Sequence, residues 1–187
     1  MTALAADLMV AVVQTLYFFV PAYVANMSPV LVRDTVPLLA APIDGGRTFR
    51  GVRVLGDHKT WRGLVAGTVA GILVFQVQLA LWDAGVLRRF ALVDYASLGP
   101  LPGLLMGLGA GVGDAMKSFF KRQLGIAPGA SWLGFDQLDF MAGAYALVAL
   151  VYAPPIVPTM LCLPVVFLGS IATTATGWAL GLKEAWI

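Results

Sequence analysis

Cysteine and histidine are nearly missing from this sequence: Cys162 is the only thiol and His58 the only imidazole among 187 residues. A single thiol excludes an intrachain disulfide and a thiolate metal site, and Cys162, set in the last apolar stretch, reads as a packing residue. Charge is scarce too. Asp, Glu, Lys and Arg make up 12% of the chain against 59% hydrophobic residues, for a mean hydropathy of +0.85. No internal repeat, low-complexity stretch or long linker divides residues 1–187, so a single domain is expected. Aromatic and basic residues do not interleave as in a nucleic-acid groove, which excludes nucleic acid as a partner.

So apolar a composition exceeds what a soluble core needs, and the expected solvent is membrane lipid. Stretches of spanning character run over 5–27, 64–82, 98–116, 140–152 and 157–182. The fourth is short before Pro154 and Pro155, and is expected to take 137–139 as its first turn. The fold class is therefore all-α, a polytopic membrane bundle of about five transmembrane helices. A cleaved signal peptide is not expected: no basic residue precedes the first span, Asp7 lies inside it, and the run is too long.

Five spans place the chain ends on opposite sides of the membrane. Arg33, Arg47, Arg50, Arg53, Lys59, Arg62, Lys117, Lys121, Arg122 and Lys183 then share one side, and Arg88 and Arg89 the other. The positive-inside rule puts the N-terminus outside and both large polar loops in the cytoplasm of a multi-pass cell-membrane protein. The basic face suits anionic lipid or nucleotide phosphates.

The richest polar segment is GDAMKSFFKRQLGIAPGASWLGFDQLDF, residues 113–140. If the third helix continues past Met116, Asp114, Ser118, Lys121 and Arg122 fall at i, i+4, i+7 and i+8 and share a face. A turn at Gly125 and Pro128-Gly129 returns the chain to Asp136 and Asp139, spaced i, i+3. Three carboxylates with almost no histidine in the chain point to Mg²⁺ rather than zinc, with substrate phosphates completing the shell. The alternative is a salt-bridge network, with Asp114 on Lys117 or Lys121, and Asp136 and Asp139 on Arg122.

A second polar group, GDHKTWRG over 56–63, precedes the second span. Lys59 and Arg62 read either as snorkelling anchors with Trp61 in the interfacial belt, or as a phosphate-binding turn. His58 reads as polar surface. The start of that loop, 29–42, is apolar enough for a short amphipathic or re-entrant helix. Asn26 caps or bonds a neighbouring helix, or meets substrate; Asp44 is a turn residue or a group facing a nucleotide. The GxxxG spacings among Gly103, Gly107, Gly109, Gly111 and Gly113 indicate close packing, within one chain or between two copies in a homodimer.

Gly113-Asp114, Ser118, Lys121-Arg122, Gly125-Ile126 and then Asp136 and Asp139 resemble the signature of the membrane CDP-diacylglycerol synthases, G-D-x3-S-x2-K-R-x2-G-I followed by D-R-x-D. Lys59-Thr60-Trp61-x-Gly63 resembles the same family's K-T-W-E-G. Gln137 and Arg62 depart from that pattern, as does the missing histidine with paired glycines. The departures, the small size, AN-x-x-P at 25–29 and FDQLDF at 135–140 resemble the archaeal branch, the CDP-archaeol synthases.

The resemblance implies a Mg²⁺-dependent transferase that joins CTP to the lipid phosphate 2,3-bis-O-geranylgeranyl-glyceryl phosphate. It implies Asp114, Asp136 and Asp139 as metal ligands and Ser118 and Lys121 as catalytic groups. Asn26, Asp44, Lys59, Thr60, Lys121 and Arg122 are implied to bind nucleotide. The rival reading is a small transporter or channel for an anionic solute, which would not need three aspartates on a basic face. A CDP-alcohol phosphotransferase is disfavoured, since its D-G-x2-A-R and G-x3-D-x3-D spacings are absent.

Overall fold

Proline and glycine decide where the helices of this chain start, bend and touch. The structure, a computed structural model, describes residues 3–33, 35–127 and 130–181. The first apolar stretch forms α1 (Ala3–Phe18) and α2 (Val20–Leu31), with the break at Phe19 just ahead of Pro21. Proline costs no hydrogen bond in a helix's first turn but loses one in the interior, and Pro21 takes the first-turn place, where it restarts the helix. Pro29 sits inside α2, which carries the first span on to Leu31.

The expected interfacial helix over 29–42 is not formed. Residues 29–31 end α2, and among the other described residues the helical structure is a 3₁₀ turn at Pro37–Leu39, with Leu38 exposed. Pro37 and Pro42 leave too few residues between breakers for a helix. Asp34 lies outside the described residues. Beyond the turn comes a two-stranded ribbon, β1 (Thr48–Phe49) antiparallel to β2 (Val52–Arg53), in which Thr48 pairs with Arg53 and Phe49 with Val52. Arg50 and Gly51, at φ 53° and 79°, supply the left-handed pair that a two-residue hairpin turn requires.

Four further helices follow the ribbon, α3 (Trp61–Asp83), the one-turn α4 (Tyr95–Leu98), α5 (Leu101–Gln123) and α6 (Phe135–Val148), before α7 (Ile156–Ala179) completes the bundle. By length and composition, three segments among the described residues can cross a membrane: Ala3–Leu31, Trp61–Asp83 and Ile156–Ala179. They are the first, second and fifth expected spans, apart from Leu182, which with Lys183 lies outside the described residues. The third and fourth are different in kind. α5 has 23 residues but carries Asp114, Lys117, Lys121 and Arg122 in its last half, and α6 has 14, a length of about 21 Å against roughly 30 Å of hydrocarbon.

α5 is the centre of the bundle, packed on α3, α2 and α6. Its glycines are consumed in those contacts. A Cβ on Gly71 of α3 would lie 2.6 Å from the Gly103 carbonyl oxygen, and one on Gly109 would lie 2.5 Å from that of Gly143 in α6. The small-residue spacing of α5 therefore serves helix packing within one chain. Val65, Val69, Leu73 and Val77, one stripe along α3, are each more than 40% exposed, as a lipid-facing surface should be.

The buried core is aromatic toward the far end of α3. Tyr95 of α4 is fully buried against Phe75, Phe18 and Trp82, with ring centroids 5.4, 6.1 and 6.0 Å away. Cys162 is buried as a packing residue, its thiol donating to the Val12 carbonyl at 3.4 Å and so joining α7 to α1.

Candidate active site

The C-terminal end of α5, the first turn of α6 and the loop ahead of α3 meet at one end of the bundle. Asp114, Lys117, Ser118 and Lys121 are spaced i, i+3, i+4 and i+7 on α5, which aligns them along one face. Ser118 and Lys121 are buried. Asp136 and Asp139 occupy the first turns of α6, where a carboxylate favours the exposed N–H groups and the positive end of the helix dipole. The turn before α6 is tied by its own polar groups. Trp132 N–H donates to Asp136 Oδ2 at 2.6 Å, and Gly134 N–H donates to Gln137 Oε1 at 2.7 Å. Pro128 and Gly129, the expected turn residues, lie outside the described residues.

Lys117 stands at the middle of the carboxylates. Its Nζ is 3.0 Å from Asp114 Oδ1, 3.2 Å from Asp136 Oδ1 and 2.7 Å from Asp139 Oδ2. Lys59 reaches in from the loop to Asp114 Oδ2 at 2.6 Å, and Lys121 holds both oxygens of Asp136 at 3.1 Å while donating to the Ala130 carbonyl. Three carboxylates and three ammonium groups make the cluster neutral. Asp139 is its most enclosed member, with a side chain 6% exposed against 29% for Asp114.

A salt-bridge network thus exists, but not with the pairing expected for Arg122. That guanidinium donates to the Ala127 carbonyl at 3.1 Å across the turn, and Lys117 takes Asp136 and Asp139 instead. The expected pairing of Asp114 with Lys117 is present, but Lys117 falls in a variable position of the signature, so the motif gave it no site role.

Lys59 is positioned by a loop that is rigid for a stated reason. Asp44, its side chain 1% exposed, accepts from Gly46 N at 3.0 Å, Leu55 N at 2.9 Å and Gly56 N at 3.1 Å, and pairs with Arg53 at 3.0 Å. Burial pushes the Asp44 carboxyl up, but the Arg53 bond and the three backbone N–H groups overcome it and hold the group well below the usual carboxylate range. Asp44 therefore takes the turn role, facing into the loop. Ile43 N–H donates to the Lys59 carbonyl at 2.8 Å and Trp61 N–H to that of Ala41 at 3.1 Å, fixing the backbone on both sides of Lys59. Thr60 caps α3, its Oγ1 accepting from Gly63 N at 3.3 Å. His58 is exposed, and Arg62 donates to the Thr35 carbonyl at the loop's edge.

Asn26 lies on the wall of a cavity of about 210 Å³ that also includes Tyr23, Phe140, Ser170 and Thr173. A second, apolar cavity of about 470 Å³ is lined by Ile43, Leu55, Val112, Ala115 and Phe119. The structure brings together Lys59, Asp114, Ser118, Lys121, Asp136 and Asp139. It gives Asp44, Thr60 and Arg122 local backbone partners and places Asn26 in the neighbouring cavity. The hard oxygen donors of the three carboxylates fit a divalent cation in chemistry, and they already surround one cationic centre, the Lys117 ammonium. Among the described residues no three acidic, histidine or cysteine side chains stand as a ready ligand set around an empty point.

Comparison with known proteins decides the family. Residues 7–187 match the family described as CarS-like: CDP-archaeol synthase. The chain belongs to this family. It is 37% identical over 172 residues to the CDP-archaeol synthase of Methanosphaerula palustris, covering 88% of this chain and 97% of that one. It is 39% identical over 191 residues to that of Halobacterium salinarum, covering 95% and 98%, and 42% identical over 134 residues to that of Thermococcus onnurineus, covering 70% of each. A solved intramembrane enzyme for archaeal membrane lipid biosynthesis superposes with a TM-score of 0.68 at 33% identity, over 85% of this chain and 91% of that one. Family membership makes the chain a membrane-embedded enzyme and removes the transporter alternative.

Proposed function

We propose that this protein transfers the cytidylyl group of CTP to the phosphate of 2,3-bis-O-geranylgeranyl-glyceryl phosphate, forming CDP-archaeol. A phosphate oxygen of the lipid bonds to the α-phosphorus of CTP, the bond from that phosphorus to the β-phosphate oxygen breaks, and pyrophosphate leaves with the electron pair. The observation that carries this reading is the convergence of Lys59, Lys121 and three carboxylates at one end of a bundle whose family makes CDP-archaeol.

Both reactants are anionic, so neutralising and aligning charge is the main catalytic task. Lys59 contacts Asp114 and can turn its remaining N–H groups to phosphate oxygens, while Lys121, bonded to Asp136 and to the Ala130 carbonyl, adds its positive charge beside them. Ser118 supplies a hydroxyl on the same face. No general base is required, since the attacking phosphate is already ionised at neutral pH. Asp114, Asp136 and Asp139 would hold Mg²⁺, which when bound supplies charge neutralisation and a template for in-line displacement.

The cavities support a lateral approach of the lipid. One is walled by Ala115, next to Asp114, and the other by Phe140, next to Asp139, so apolar chains can stay in apolar surroundings while the phosphate meets the cluster. The ten-to-two division of basic residues supports an outside N-terminus and a cytoplasmic site, where CTP is available.

Pyrophosphate release by the purified chain in detergent tests the reading. Release that needs Mg²⁺, CTP and the ether-linked lipid phosphate together, with a CDP-lipid formed in equal amount, is the expected result. A folded sample that releases none refutes it.

A further inference from the structure

Lys117 Nζ lies within 3.2 Å of one oxygen from each of Asp114, Asp136 and Asp139, three ion pairs around one ammonium, and Asp139 Oδ2 is buried with no hydrogen-bond partner among the described residues. Lys59 and Lys121 do not share this place, because they sit on Asp114 and Asp136 from outside. Among the described residues Asp139 has no other ion-pair partner. Removing Lys117 would leave three carboxylates, drawn from two helices, facing one another across a partly buried space.

We infer that Lys117 is a built-in counter-cation that holds the space between Asp114, Asp136 and Asp139 and yields it when a divalent cation binds there. The inference rests on the divalent-cation reading of these carboxylates. An ammonium and a metal ion cannot occupy one point, and with Lys117 in place the cluster is already neutral, so an incoming ion meets no net attraction. The four-carbon stem lets the ammonium swing out, where it adds a third positive group to Lys59 and Lys121 facing the substrate phosphates. Ion entry and phosphate entry are thereby coupled: the ion displaces a cation that the nucleotide then receives. Lys117 is in this sense a positioning residue of the ion-free enzyme and a competitor of the ion.

Competition makes a prediction opposite in sign to a merely structural role. Mn²⁺ binding to the full chain in detergent, without CTP, is followed by the electron paramagnetic resonance of free Mn²⁺ for wild type, Lys117→Met and Lys117→Arg. Lys117→Met should bind at least about tenfold more tightly, since the binding-competent state no longer has to be vacated, and Lys117→Arg should stay near wild type. Equal or weaker binding by folded Lys117→Met overturns the inference while leaving the divalent-cation reading intact. Absence of Mn²⁺ binding in all three proteins, even with CTP present, overturns both. Should Lys117→Met and Lys117→Gln unfold without ions, melting in Mn²⁺ replaces the titration: rescue of the fold by the ion is expected, and failure of Mn²⁺ to rescue either variant overturns the inference.

Discussion

Lys59 Nζ lies 2.6 Å from Asp114 Oδ2, and this pair fastens the loop ahead of α3 to the end of α5. The two motifs that the family signature separates by more than fifty residues of chain are thus one site, with the cation of the first on the carboxylate of the second. Because α3 begins and α5 ends at this end of the bundle, the two antiparallel helices deliver both polar segments to the same face.

Asp114→Asn keeps the shape of the side chain and removes its charge. Turnover should fall about 100-fold or more, the scale of losing a group that holds a cation against phosphates, while the melting profile in detergent stays close to wild type. Cys162→Ala, in the first half of α7 and hydrogen-bonded to the Val12 carbonyl, is the matched control and should keep nearly full turnover. Near-normal pyrophosphate release by Asp114→Asn would remove this carboxylate from the active site.

Lys59→Met should lower kcat/KM for CTP or for the lipid phosphate by roughly 10- to 100-fold, the range for losing one hydrogen bond to a charged group. Lys59→Arg keeps the charge on a longer, planar head and should recover part of the loss. Steady-state kinetics with each substrate varied in turn would show which phosphate the residue meets. An unchanged kcat/KM for both would leave Lys59 as only the clasp between loop and helix.

The loop should open in acid. The folded carboxyl of Asp44 is held below its unfolded value of about 4, so its stabilisation is complete above about pH 4 and is lost as the pH falls through the depressed folded value. Hydrogen exchange at Gly46, Leu55 and Gly56, whose N–H groups all donate to Asp44, reports it directly. Protection corrected for intrinsic rate should be constant from neutral pH to about 5 and collapse well below 4. Asp44→Asn should lose it at every pH. Protection that survives unchanged to about pH 2 would mean that other contacts hold the loop.

The sequence made the membrane bundle and most of the cluster legible because both depend on local pattern. Apolar run length marks spans, and spacings of three, four and seven put Asp114, Ser118 and Lys121 on one helix face. Asp44 was ambiguous because an Asp before two glycines suits a turn and a ligand site equally, and its choice depends on Arg53, Leu55 and Gly56, which fold back onto it from up to twelve positions away. The interfacial helix expected over 29–42 failed because its hydrophobicity was read without weighting Pro37 and Pro42. Lys117 was legible only in part: its spacing of three gave the pairing with Asp114, but its contacts to Asp136 and Asp139 lie on a different helix, and no spacing along one helix reveals a side chain's partners on another.

The approach of that other helix depends on Gly113. A Cβ there would collide with the backbone carbonyl of Asp139 and come within 3.2 Å of Gly143 Cα, so Gly113→Ala must push α6 away from α5 at the level of the cluster. Overpacking of this kind costs about 1–3 kcal/mol, and backbone atoms on both sides leave little room to relax. The variant should melt several degrees lower and lose turnover together, because Asp136 and Asp139 ride on the displaced helix. Gly169→Ala on α7, where a Cβ meets nothing within 4 Å, is the comparison for stability and should leave the melting point unchanged. A Gly113→Ala protein that melts and turns over like wild type would show that α5 and α6 can separate without disturbing the carboxylates, contrary to the close seam on which the site is built.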